Sequence, residues 1–179
     1  HVLVLVQPTY SSRTNSTTLL LQVQPCYSSR AARRRSSTPW CMQTGRTPRV
    51  RLRAAVNRMW RADANSMPAD LVVPPPQLAL NADGLNPDAS VLDNNFVGFG
   101  GLAKVDWPEW NAGLEIAADP VFSCLVIYTP ERQDFFCAEP ATNCIDGFNL
   151  ADQGRPDTGL IVLEAGDTAA GDVTFTPMV

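Results

Sequence analysis

The sequence predicts an all-β fold, an antiparallel β-sandwich, on three observations. From about Val50 onward, short β-rich runs are punctuated by Pro, Gly and Asn/Asp turn signals at intervals of about ten residues. No stretch carries the long amphipathic pattern of a helix. The longest apolar runs, VLVLV near the start and VFSCLVIY at 121–128, fall well short of the ~20 residues that a membrane-spanning helix needs.

Taken in order, Arg49 to Trp60 (RVRLRAAVNRMW) sets Val50, Leu52, Ala54 and Val56 in alternation, the pattern of a strand with one solvated face. Pro74, Pro75 and Pro76 in VVPPPQLAL remove ladder donors, so this stretch is an extended connection rather than a central strand. LAKVDW at 102–107 alternates again. The apolar runs 113–118 and 121–128 are separated by Asp119 and Pro120, which reads as a hairpin. DFFCAE (134–139), GLIVLEA (159–165) and DVTFTPM (172–178) each open on Gly or Asp and read as strands. No internal repeat is present.

At 179 residues the chain has the size of one domain and can bury a sizeable core. With 45% hydrophobic and 18% charged residues and a net charge of −4, its composition is that of a globular protein. The charge is strongly segregated. His1 to Ala62 holds eleven Arg, no Lys and no acid, or +11; all eighteen acids follow, against Lys104, Arg132 and Arg155 alone, or −15. The first 47 residues also carry fourteen Ser and Thr, and SSRAARRRSST at 28–38 is of a composition that builds no packed core. The five cysteines (26, 41, 124, 137, 144) form no CxxC and the only His is His1, so no zinc site is expected. An odd, sparse set argues against a secreted disulfide framework and for a reducing, cytoplasmic location.

Three stretches in the second half belong together: VLDNNFVGFGGLAKVDWPEW (91–110), FFCAEPATNCIDGFNL (135–150) and GLIVLEAGDTAAGDVTF (159–175). In order and content they resemble the C-terminal part of the aldose 1-epimerase (galactose mutarotase) family, from roughly Arg46 to the end. The resemblance implies a galactose mutarotase-like sandwich, here incomplete. It also implies a hexose as the small-molecule partner, which hexose and whether phosphorylated being left open, with no cofactor, metal, nucleic acid or membrane. The oligomeric state is left open.

The family's catalytic base is the carboxylate of its C-x-E element, which falls on Glu139. Interconverting anomers requires a base to take the C1 hydroxyl proton while an acid protonates the ring oxygen. A Glu flanked by Phe135, Phe136, Cys137 and Pro140 would be partly desolvated, raising its pKa towards a useful range; the bland alternative is a carboxylate on a solvated strand edge. Asp93 matches the family's Asp in LDxxF, which accepts hydrogen bonds from sugar hydroxyls, although beside Asn94 and Asn95 it also reads as a turn Asp. Phe96, Trp107 and Trp110 are candidates for stacking on a sugar or for the core. Phe148 and Asn149 fit the family's FN pair and carry no assigned chemistry.

The family's two His and its substrate-holding Arg have no counterpart before the LDxxF element. SSTPWCMQTG stands where relatives carry a motif with the acid His. Residues 1–45 are unmatched, and three accounts compete. The first is a segment read out of frame from a GC-rich gene, with the true frame resuming near Arg46, and the missing initiator Met fits a fragment. The second is a targeting segment, and the third a basic arm for nucleic acid or an anionic surface. The expectation is therefore an aldose 1-epimerase-type site at 46–179 that is inactive or impaired for want of its acid, the alternative being a non-catalytic carbohydrate-binding module.

Overall fold

The computed structural model describes residues 49–178 apart from 64, 66, 82, 90, 133, 134 and 164–166, together with backbone at 2–3, 16–18 and 41–43. The expectations about residues 1–45 otherwise lie outside the described residues. Among the described residues thirteen strands form: β1 (Val2–Leu3), β2 (Ser16–Thr18), β3 (Cys41–Gln43), β4 (Arg51–Ala54), β5 (Arg58–Ala62), β6 (Pro68–Val72), β7 (Leu92–Val97), β8 (Leu102–Trp107), β9 (Ala112–Ala118), β10 (Cys124–Thr129), β11 (Phe135–Ala141), β12 (Val162–Leu163) and β13 (Asp172–Met178). One short helix, α1, spans Gly147–Asp152.

Every strand pairing is antiparallel, in a six-stranded sheet ordered β3-β11-β10-β7-β5-β6, a five-stranded sheet ordered β2-β13-β9-β8-β4 and a small β1-β12 pair. The two large sheets face each other across one core. Leu52, Val105, Ile116 and Val173 from the five-stranded sheet meet Met59, Phe96, Leu125, Ile127 and Phe136 from the six-stranded sheet. Because strand side chains alternate between faces, the residues between these core positions point to the outer face of the larger sheet.

Three expectations change. Arg49 to Trp60 is two strands in different sheets: at 55–57 the chain crosses the core edge, with Gly100 N–H donating to Ala55 O and Asn57 N–H to Val97 O, both at 2.9 Å. Val50 and Leu52 fill the core from one side and Met59 from the other. The Asp119–Pro120 break is likewise a crossover and makes no hairpin, since β9 pairs with β8 and β13, and β10 with β7 and β11. Of GLIVLEA only Val162–Leu163 is strand. The triple proline is the expected connection: Pro75 is extended (φ −65°, ψ 157°) and Pro76–Leu78 forms a single 3₁₀ turn.

Candidate functional site

The register of three strands brings the two sequence-predicted carboxylates onto one face. Glu139 on β11 lies opposite Val126 on β10, which lies opposite Asn95 on β7; one row along, Cys137, Tyr128 and Asp93 align in the same way. Directly opposed residues share a face, and so do residues two apart on a strand. Asp93, Asn95, Tyr128 and Glu139 therefore project together from the outer side of the larger sheet. A second apolar cluster, Trp60, Cys124, Cys144 and Leu150, floors that side, with Leu150 brought down by α1.

The two carboxyl groups feel each other. Glu139 is half-buried, and burial first, then the charge of Asp93, pushes its carboxyl above the ordinary value. Asp93 stands at the exposed rim of its strand, yet crowding on its inner side is enough for burial to raise its carboxyl as well. Beside them a hollow of about 10 Å³ is lined by Trp60, Ala62, Pro68, Asp93, Asn95 and Ile145. That volume admits one water-sized group.

Sequence reasoning missed Asn95, Trp60 and Tyr128. Asn95 and Trp60 are each 2% exposed, and Tyr128, at 38%, is the exposed aromatic in line with Asp93. The indole of Trp60 is covered by the Arg155 guanidinium, 4.7 Å from the ring centroid. Arg155 is in turn clamped by both Asp157 oxygens (Nε–Oδ1 3.1 Å, Nη2–Oδ2 2.7 Å), a fork that holds the Asp157 carboxyl below its usual range. The aromatics proposed from sequence lie elsewhere. Phe96 and Trp107 are in the inter-sheet core. Trp110, 50% exposed, stacks on Trp107 at 6.2 Å, beside the other sheet. Asp93 is no turn residue: LDNNFV is a strand with a partner on each side.

The cysteines on this face are mostly inert. Burial pushes the Cys124 thiol up to about 11, while burial and then the neighbouring Cys124 push Cys144 up to about 12. Both are free. Cys137 is disulfide-bonded, which the expectation of a reducing compartment does not accommodate. Among the described residues no group of three or more His, Cys, Asp or Glu could hold a metal ion, and no helix is long and apolar enough to cross a membrane.

Two facing antiparallel sheets make a β-sandwich, and its fold is of the galactose mutarotase-like kind. Comparison with solved structures gives the same fold. A putative aldose 1-epimerase from Escherichia coli K12 superposes with a TM-score of 0.65 at 20% identity, over 77% of this chain and 48% of its own. A galactose mutarotase-like protein from Clostridium acetobutylicum gives 0.66 at 14% identity, over 77% and 45%. The Slr1438 protein from Synechocystis sp. PCC 6803 gives 0.56 at 19% identity, over 75% and 41%. The chain thus spans less than half the length of each. No protein-family model and no curated protein matches the sequence.

Proposed function

We propose that the outer face of the six-stranded sheet is a hexose site of the aldose 1-epimerase type, with Glu139 as general base and Asp93 as a hydroxyl ligand. The observation that carries this reading is the register that sets the two carboxylates on one face, close enough for the charge of Asp93 to hold up the Glu139 proton. Glu139 takes the proton of the C1 hydroxyl, the C1–ring oxygen bond breaks as the ring oxygen gains a proton, C1–C2 rotates, and closure returns either anomer. The raised carboxyl of Glu139 supports the base side of this chemistry. The ring-oxygen donor is the weak point, since SSTPWCMQTG stands where the resembled family carries its acid His. Turnover by this chain is therefore impaired.

Calorimetric titration with galactose and glucose, together with polarimetric mutarotation, tests the reading. Saturable binding with a rate slightly above buffer that Glu139→Gln lowers to the buffer value is the expected result, well short of the roughly 10²-fold or more that a general base contributes in an intact site. The missing acid favours a second reading, a non-catalytic carbohydrate-binding module, which binding with no rate above buffer would establish. Absence of binding to either sugar rejects both.

A further inference from the structure

We infer that Asn95 is a substrate ligand that reads one neutral hydroxyl of the sugar, an inference that rests on the hexose-site reading above. Its amide is buried, and neither Oδ1 nor Nδ2 has a hydrogen-bond partner. A buried amide in that condition is a liability, because its desolvation is uncompensated and an apolar side chain of the same shape would carry no such cost. The neighbouring Asn94 differs: its Nδ2 donates to Trp60 O at 2.9 Å. A hydrogen bond within the fold accounts for the Asn94 amide, and none accounts for that of Asn95.

Three observations point the unused amide at a ligand. Asn95 lines the hollow beside Asp93, and Trp60, another wall of that hollow, also has a buried Nε1–H without a partner. The space matches a single water-sized group. The register puts Asn95 in the row that ends at Glu139. A hydroxyl complements this set, because it can accept from Nδ2 or from the indole N–H while donating to Oδ1. A carboxylate or fully ionised phosphate has no proton to give Oδ1 and would be repelled by the two carboxylates, so the position favours a neutral hydroxyl.

Asn95→Leu and wild type are titrated with galactose, glucose and their single-deoxy analogues, and each protein is melted alone. We expect Asn95→Leu to lose about tenfold or more in affinity, equivalent to ~1.4 kcal/mol, with a melting midpoint equal to or above that of wild type. One deoxy analogue should bind wild type more weakly than its parent sugar while the variant no longer distinguishes the two. Unchanged affinity in Asn95→Leu, or a lowered midpoint with affinity kept, overturns the inference and leaves the hexose site standing. Failure of wild type to bind either sugar removes both together. Should Asn95→Leu not fold, Asn95→Ser is read by the same titrations and the same criteria.

Discussion

Burial and the Asp93 charge make Glu139 hold its proton to higher pH in the folded chain than in the unfolded one, where its ordinary value is 4.5. Its contribution to stability is then complete below about 4.5 and is lost as pH rises through the folded value. Glu139→Gln, which cannot ionise, should resist urea better than wild type at pH 7, with the gap closing at pH 4; equal midpoints at both pH values would show that the carboxylate is not desolvated. The free thiols give a second check. With Cys124 and Cys144 raised to about 11 and 12, neither carries appreciable thiolate at neutral pH, and native protein should alkylate at these positions only after denaturant is added. At this scale the sequence marks Glu139 and Asp93 as candidates because each sits in a short motif whose chemistry is local. Asn95 was one step away: it lies two residues from Asp93, the strand period, but an Asp-Asn-Asn run reads as a turn and gives no period to count. Trp60 and Tyr128 join the site only through pairing with distant strands, which no local pattern encodes.

The six strand-like stretches after Val50 other than 159–165 do contain strand, and β13 has the bounds its sequence suggested. What failed was connectivity. An apolar run says that a segment is buried and is silent about which sheet buries it, so the crossovers at 55–57 and 119–123 looked like an unbroken strand and a hairpin. β7 was overlooked for a different reason: Asp and Asn have poor β-propensity, and pairing with β10 and β5 overrides it. Returning from α1, the chain is held by Gly159, at φ +71°, where an added Cβ would lie 2.3 Å from Thr142 O and 2.8 Å from Ser123 Oγ. The backbone there cannot yield, because Cys144 N–H is bonded to Thr158 O at 2.8 Å. Gly159→Ala should therefore cost about 2 kcal/mol or more, measured by urea denaturation; an unchanged midpoint would mean that this turn is free to move.

Across the whole molecule, the segregation of charge along the chain becomes pairing in space. Arg53 of β4 is bonded to Asp106 of β8, Arg61 of β5 to Asp70 of β6, and Lys104 of β8 to Glu115 of β9 at 3.0 Å. These pairs are partly exposed, and each is worth little alone. The sheet edges are also guarded: Leu52 and Leu85 exchange backbone hydrogen bonds at 2.8 and 2.9 Å, and Ala54 N–H reaches Leu80 O at 2.9 Å, so β4 does not offer a bare ladder. Sandwich architecture was readable from turn spacing. The electrostatic pairing was not, because an Arg-rich, acid-free third looks like an arm or a leader until Arg53 is seen across from Asp106 and Arg61 across from Asp70 on neighbouring strands.

That division has a practical outcome for a nicked protein. Cleavage after Ala62 would release a piece of +11 and a piece of −15, whose mutual attraction should speed their recombination in dilute buffer and fade as added salt screens it. Stopped-flow mixing of the two peptides would read this directly, and a recombination rate indifferent to salt would mean that apolar collapse alone reunites them.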